Sequence, residues 1–271
     1  GVETFKAVLK DVPNVGVFDT SFHATMEPEA YMYAVPYEWY ENYKVRKYGF
    51  HGTSHKYVAH EAAAHLGKPI EQLKLITCHM GNGVSLAAVK NGKVVDTTMG
   101  LTPLDGLMMG TRSGAIDPSI LEYVCKESEM TVAEVTNALN KKSGLAGISG
   151  LSDCRDVETA AGNGDEKAQL ALTMYHERVA KYIADYFIEL DGKVDAIVFT
   201  AGVGENGWEA REAILNKVAP LGIVVDKEKN ASIAGFKDVH EGVISGKDSK
   251  IEVWVMPTNE ELMIIKDTYA I

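Results

Sequence analysis

The sequence predicts a mixed α/β fold, in which one sheet holds both antiparallel and parallel strands and is flanked by helices. Three observations lead there. Short apolar runs and a hairpin signal cluster between residues 73 and 98. A long amphipathic helical stretch occupies residues 165–190. Beyond it, apolar runs at 194–200 and 251–256 each lead into a helix, the alternation that builds βα units.

Each element can be justified in turn. Val15-Gly16-Val17-Phe18-Asp19 reads as a short buried strand ending in a carboxylate. Residues 24–48 are rich in Tyr and Pro without helical period, and are expected as an ordered excursion. Thr53-Ser54 is expected to cap a helix running to His65, which Gly67 ends. Residues 73–78 form an apolar strand that runs into His79-Met80-Gly81-Asn82-Gly83, and residues 84–89 form the next. Asn91-Gly92 is a type I′ hairpin signal, with the return strand at 93–98. The stretch 102–118 is a long loop dense in Gly, Met and Pro. Loops of that length tend to be functional or disordered, and this one is too apolar for disorder.

Helices are expected at 119–128 and 131–141, followed by a Gly/Ser segment at 143–152 and the long helix. The continuous apolar run 194–200 suits a central strand buried on both faces. It breaks at Ala201-Gly202-Val203-Gly204-Glu205-Asn206-Gly207, and a helix then runs to Val218. After the 251–256 strand, Thr258 is placed to cap a last helix over 259–268, with Glu260 and Glu261 in its first turn. This order of elements is also that of the ribonuclease-H-like core used by the actin, Hsp70 and sugar-kinase group. There is no internal repeat and no low-complexity segment.

Composition narrows the functional classes. The chain of 271 residues is 46% hydrophobic, ample for a buried core. Its formal net charge of -11 repels nucleic acid and anionic membrane, so neither is expected as a partner. A phosphate ligand remains open, because backbone N–H groups and one placed arginine bind it locally. No apolar run is long enough to span a bilayer, and no signal peptide opens the chain. Cys78, Cys125 and Cys154 are odd in number and scattered, which points to reduced thiols and a cytoplasmic location. The first residue is Gly1, which reads as a processed or truncated chain.

Two glycine-rich turns follow two separate predicted strands, at 79–83 and 201–207. Glycine lets backbone N–H groups approach phosphate oxygens, and ligands of α/β proteins sit at the carboxyl ends of strands. One such turn is equally well a tight hairpin or a helix start, but two on one sheet favour a nucleotide. Gly110-Thr111-Arg112-Ser113-Gly114 puts an arginine between glycines, suited to a bidentate phosphate contact or simply to a solvated loop. Asp19 and Glu260, each beside a strand end, suit Mg²⁺, although an acidic residue in a first helical turn is ordinary dipole compensation. His51 and His55 lie four apart, but no HExxH glutamate accompanies them, so zinc is not expected. His51 at a helix start can donate to a phosphoryl oxygen. His55, His60 and His65 read as packing or surface residues, and Met108-Met109 as core or pocket lining.

The stretches Val17-Phe18-Asp19-Thr20-Ser21-Phe22-His23 and Tyr48-Gly49-Phe50-His51-Gly52-Thr53-Ser54-His55 resemble two signatures of the acetate kinase family. His79-Met80-Gly81-Asn82-Gly83, the run from Thr102 to Gly114, Phe199-Thr200-Ala201-Gly202-Val203-Gly204-Glu205-Asn206 and Pro257-Thr258-Asn259-Glu260-Glu261 resemble the rest, in the same order. The resemblance is shared in part with propionate kinases and more weakly with butyrate kinases. It implies the ribonuclease-H-like fold and reversible, direct in-line transfer of the ATP γ-phosphoryl to acetate, with ATP/ADP and Mg²⁺.

By that resemblance Arg112 stabilises the transferring phosphoryl, His51 hydrogen-bonds it, and Asp19 and Glu260 organise Mg²⁺ and the arginine. His79, Gly81, Asn82 and Gly83, with Gly110, are implied at the phosphates, and Pro103 in the pocket for the acetate methyl. Asp153, Arg155, Gly202, Val203 and Asn206 are implied at the adenosine. A homodimer is implied too. The family opens with an Asn-x-Gly-Ser-Ser-Ser loop and an early second arginine, which have no counterpart here. Residues 1–22 are therefore expected to be the remnant of an N-terminal domain, 23–256 the nucleotide-binding and dimerisation domain, and 257–271 a helix packing on the absent domain.

Two departures stand out. Ala115 replaces a usual aspartate, which is expected to loosen the loop holding Arg112. The pattern over 149–156 is one residue short, with Cys154 where a larger apolar residue often meets adenine. Two alternatives remain open: a non-catalytic nucleotide-binding module on the same fold, and propionate as the acceptor.

Overall fold

The computed structural model describes residues 1–234 and 240–271. Among the described residues six strands form one sheet: β1 Lys74–Met80, β2 Val84–Lys90, β3 Lys93–Thr97, β4 Ala196–Thr200, β5 Gly242–Val243 and β6 Glu252–Val255, in the order β3-β2-β1-β4-β6-β5. β1, β2 and β3 pair antiparallel, whereas β4 runs parallel to both β1 and β6. This is the mixed sheet and the ribonuclease-H-like order expected. The β2–β3 turn has φ of 55° at Asn91 and 78° at Gly92, the positive pair that a type I′ turn requires.

Strand periodicity divides the core in two. Leu75, Ala87, Val89, Ala196 and Val198 face the helix Gly52–Leu66, meeting Val58, Ala59 and Ala62. Ile76, Cys78, Leu86, Ile197 and Phe199 face the opposite way, toward the long helix Glu166–Glu189 and its Ala171, Tyr175, Val179 and Ile183. The parallel strands β1, β4 and β6 end on one edge of the sheet. The segments that follow them, at 81–83, 201–206 and 256–260, are thereby gathered on that edge.

Several expectations are corrected. Residues 15–19 form no strand: Val15 and Phe18 are exposed, and the segment joins no ladder, its carbonyls at Phe18 and Asp19 accepting from the Ser21 and Gly52 N–H groups. An isolated extended segment has no ladder to satisfy its polar groups. Two short helices, Pro28–Tyr31 and Tyr37–Tyr43, lie within the 24–48 excursion. The 52–66 helix starts at Gly52 with His51 as its N-cap, and Thr53 and Ser54 are buried inside it. The glycine-rich 201–207 stretch is a helix, Ala201–Asn206, and not an open turn. Asn259, and not Thr258, caps the last helix, its side chain accepting from the Leu262 N–H. The 143–152 segment contains the helix Gly144–Ser149, and the further helices Cys154–Gly162 and Lys227–Ser232 stand where none was expected.

Candidate active site

His51 sits in the left-handed region (φ 57°) as the 52–66 helix begins. It offers that helix no side-chain cap. Asp19 replaces it: its Oδ2 accepts from the His51 N–H at 2.7 Å, its Oδ1 from the Thr53 N–H at 3.5 Å, and its backbone carbonyl from the Gly52 N–H at 2.8 Å. A carboxylate at a helix N-terminus is favoured by the macrodipole and the unpaired N–H groups. Asp19 thus fixes where His51 stands.

The His51 ring stacks on His79 at 4.0 Å between centroids and 20° between planes. A Cβ built on Gly83 would lie 3.1 Å from His51 Nε2 and 3.3 Å from Arg112 Nη1. The imidazole and the guanidinium therefore converge on one turn, and only glycine leaves room for both beside the backbone. Gly81 closes the same turn, its N–H donating to the Gly83 carbonyl at 3.0 Å, and it stands against Ala201, the residue after the neighbouring parallel strand β4. Asn82 is exposed at the tip.

Arg112 comes from the long loop after β3. Its Nη1 reaches the Pro103 carbonyl at 3.5 Å and Met109 Sδ at 3.6 Å, and among the described residues no carboxylate pairs with it. A cation without a counter-ion is prepared for an anion. The loop is held through its backbone. Met109 N–H donates to Arg112 O at 3.0 Å, Ser143 N–H to Thr111 O at 2.9 Å, and Ala115 N–H to Gly106 O at 2.9 Å. Arg178 Nη1 adds a bond to Ala115 O at 3.0 Å. The Ala115 side chain is exposed, and position 115 enters these ties through its main chain.

Glu260 begins the last helix, and its carboxyl is shifted upward by burial and by the negative charge of Asp19. The two acids are thus close enough to repel. In the segment that follows β4, Gly202 has open space around its Cα. Asn206 Nδ2 donates to the Gly202 carbonyl at 2.8 Å, and Val203 lines the same turn. Ala201 adopts φ 66°, held there by Glu205, whose Oε1 accepts from the Ala201 N–H at 2.8 Å and from the Thr258 N–H at 3.2 Å. One carboxylate thereby ties the β4 turn to the segment carrying Glu260.

Gly110 packs against the Ser152 carbonyl, which brings the Arg112 loop to the 149–156 segment. There Asp153 caps the 154–162 helix and holds Arg155, accepting at 3.0 and 2.6 Å from its guanidinium. The pair is exposed, and the arginine holds the Asp153 carboxyl down to about 2. Cys154 is buried in the core cluster, and Glu158 lies 3.7 Å from its sulfur.

The structure joins His51, His79, Gly81, Gly83, Arg112 and Pro103 directly, with Asp19 and Glu260 beside them. Gly202, Val203 and Asn206 follow through Ala201, and Asp153 and Arg155 through Gly110. Sequence reasoning missed the contact of Ser54, whose Oγ lies 2.8 Å from His79 Nδ1, and the parts played by Thr77, Ser85, Glu205 and Arg211. Thr77 and Ser85 left a signal, being polar positions inside two apolar strands. Arg211 left none, since it reads as one more charge on an amphipathic helix.

Burial keeps the site histidines neutral. It pushes His23 down to about 4 and His79 to about 3, and lowers His51 and, still further, His55. The unfolded chain takes up those protons at an ordinary histidine value, whereas the folded chain refuses them. Stability is therefore full above that value and falls as the pH drops toward the folded values. The expected slope is about 1.4 kcal/mol per pH unit for each such histidine. Urea unfolding between about pH 7 and about pH 5 measures this directly, and a flat midpoint over that range contradicts it.

The Acetokinase family model matches residues 1–266 of the chain. An acetate kinase of Thermoanaerobacterium thermosaccharolyticum is 58% identical over 273 residues, covering 100% of this chain and 67% of the relative. The crystal structure of Porphyromonas gingivalis acetate kinase superposes with a TM-score of 0.94 at 45% identity, over 100% of this chain and 67% of that one. A propionate kinase from Francisella tularensis superposes with a TM-score of 0.89 at 47% identity, over 97% of this chain and 66% of that one. The chain thus spans about two thirds of the length of the curated relatives it matches. With a family match that runs through both glycine turns, the arginine loop and the last helix, the chain belongs to the acetokinase family.

Proposed function

We propose that the chain is the nucleotide-binding portion of a carboxylate kinase, ATP + acetate ⇌ ADP + acetyl phosphate. The observation that carries this reading is the convergence of His51 Nε2 and the unpaired Arg112 guanidinium on Gly83. In the forward direction an acetate oxygen forms a bond to the γ-phosphorus, and the bond from that phosphorus to the β,γ-bridging oxygen breaks. ADP leaves with the electron pair. No proton has to move, so the protein's work is positioning and charge stabilisation.

Arg112 offers N–H donors to the equatorial oxygens of the transferring phosphoryl, where charge is spread in the transition state. His51, neutral because it is buried, adds a donor without adding charge. The 81–83 turn, with Asn82 at its tip and His79 beneath, cradles the phosphates. Pro103 lies beside the arginine, where it can meet the methyl group. Gly202, Val203, Asn206, Asp153, Arg155 and Gly110 form the adenosine side.

Mg²⁺ fits the donor set. Asp19 and Glu260 are hard oxygen donors, and Glu260 is raised first by burial and then by the negative charge of Asp19, costs that a divalent cation offsets. Among the described residues no cluster of three or more His, Cys, Asp or Glu forms a closed cage, which suits an ion that takes its other ligands from phosphate and water. Glu260 and Asp19 would hold it, and when bound it neutralises charge on the phosphates.

We further propose that residues 1–22 and 257–271 pack together with a phosphate-binding segment, and that 23–256 forms the nucleotide and dimer unit. Exposed Phe5, Val8, Phe18, Ile264 and Ile265 support that burial. A homodimer and a cytoplasmic location are part of this reading, the latter supported by three free cysteines. No described helix is long and apolar enough to cross a membrane.

The test is turnover with Mg-ATP in a version of the chain preceded by the amino-terminal third of the T. thermosaccharolyticum relative. Acetate is expected to exceed propionate in kcat/KM by about 10-fold or more, the effect of one methylene in an apolar pocket. Equal efficiency would favour a broad short-chain carboxylate kinase. Absence of phosphoryl transfer to either acid ends the kinase reading.

A further inference from the structure

A chain of buried hydrogen bonds runs behind His51. Thr77 Oγ1 lies 2.7 Å from His55 Nδ1, His55 Nε2 lies 2.8 Å from Ser85 Oγ, and Ser85 Oγ lies 2.8 Å from His51 Nδ1. Thr77, His55 and Ser85 are all fully buried. Strand geometry places them. Thr77 lies two residues before His79 on the same face of β1, and His79 stands opposite Ser85 of β2, so all three side chains face the 52–66 helix that carries His55.

The chain has a direction. The hydroxyl of Thr77 carries a proton, and among the described residues its only side-chain partner is His55 Nδ1. If His55 Nδ1 were protonated, that buried hydroxyl would have no acceptor, which folded proteins avoid. Thr77 therefore donates and His55 Nδ1 accepts. A neutral imidazole carries one N–H, so His55 Nε2 donates to Ser85 Oγ. Ser85 then turns its own proton onto His51 Nδ1. That leaves the His51 proton on Nε2, the atom beside Gly83 and Arg112, which has no partner within the described residues. His55 is fully buried and its two ring nitrogens meet only hydroxyls, which calls for a single proton on that ring, and among the described residues the Ser85 hydroxyl has no side-chain acceptor other than His51 Nδ1.

We infer that Thr77, His55 and Ser85 are positioning residues which lock His51 in its Nε2–H tautomer, making it an obligate hydrogen-bond donor to an anion in the cleft and not a base. This deepens the kinase reading and rests on it for the identity of the anion, a phosphoryl oxygen. A donor is what that transfer needs, since no proton is abstracted from a carboxylate. A base at the same position would present a lone pair to an anionic oxygen and repel it.

The test reads the tautomer itself. Long-range ¹H–¹⁵N correlation spectra of the ¹⁵N-histidine-labelled chain, with His51 assigned by its loss in His51→Gln, are expected to show His51 protonated on Nε2 alone. In Ser85→Ala the His51 pattern is expected to change to a mixture of tautomers or to Nδ1–H. In Thr77→Val, which removes only the first donor and touches neither His51 nor its neighbour Ser85, a second His51 tautomer is expected to appear. Thr77→Ser, which keeps the hydroxyl, is expected to restore the single form.

An unaltered chain with His51 protonated on Nδ1 overturns the inference. So does a His51 pattern that stays purely Nε2–H in both Ser85→Ala and Thr77→Val. Should either variant fold poorly, the other carries the measurement, because each breaks a different link. In the activity assay Ser85→Ala is expected to lower kcat about 10-fold with KM for ATP retained, the effect of a weakened donor to the transition state. The spectra need no turnover. If the unaltered enzyme transfers nothing to acetate, the kinase reading fails while the tautomer result stands or falls alone.

Discussion

Replacing Arg112 with alanine in the version of the chain carrying the additional amino-terminal segment is expected to lower kcat about 1000-fold while leaving ATP affinity nearly unchanged. The reasoning is electrostatic. Among the described residues this guanidinium has no carboxylate partner, only a long contact to the Pro103 carbonyl and one to Met109 sulfur. Its charge is thus reserved for a ligand. A loose phosphoryl transition state spreads negative charge over oxygens that the ground state holds differently, so the loss falls on kcat and not on nucleotide binding. A thousandfold loss corresponds to about 4 kcal/mol of transition-state stabilisation. Arg112→Lys should recover only part of it, because an ammonium is a point charge without the planar fork. Steady-state kinetics with equilibrium nucleotide binding separates the outcomes. If turnover survives Arg112→Ala, the chain uses its glycine turns as a non-catalytic nucleotide module.

The second large effect concerns a residue remote from the reacting atoms. Arg211 is fully buried and is bonded to no carboxylate among the described residues. Its Nη1 donates to the carbonyls of Gly204 and Glu205 at 2.8 and 2.9 Å, its Nε to Asn230 Oδ1 at 2.8 Å, and its Nη2 to the carbonyls of Asn230 and Ile233. Burial lowers its pKa to about 10, yet it stays charged at neutral pH. The carbonyl end of the Ala201–Asn206 helix is a favourable place for that cation. Arg211→Leu leaves five acceptors without their donor, and a loss of about 3–5 kcal/mol is expected. Arg211→Lys keeps the charge but has three donors for the same acceptors, so it should be intermediate. Urea unfolding of the chain checks the ranking, and an unchanged midpoint for Arg211→Leu refutes this account. Nucleotide affinity should fall in parallel, since the same arginine braces the turn that carries Gly202 and Val203.

Much of the fold was legible before any coordinates. The Asn91-Gly92 turn, the two apolar strands beside it and the capped long helix depend on contacts within a few residues, and they stand where local chemistry placed them. The failures share a cause. Residues 15–19 have strand-like composition, but a strand exists only where a partner supplies a ladder. The helix start at Gly52 is satisfied by Asp19, a residue 32 positions before His51, which no local capping rule can find.

The sequence by itself determined the family, through motifs in a fixed order, and with it the residue types that a phosphoryl site requires. It also determined the sheet's two apolar faces, because side-chain alternation along a strand is a local property. Only the tertiary structure decided which polar groups meet. Thr77, Ser85 and His55 lie on two strands and a helix, and their order as a hydrogen-bond chain exists only once β1, β2 and the 52–66 helix are packed. Arg211 likewise becomes a brace only when residues 230–233 fold over it. Local propensity acts over a few residues, whereas a buried polar group must find its partner wherever in the chain that partner lies.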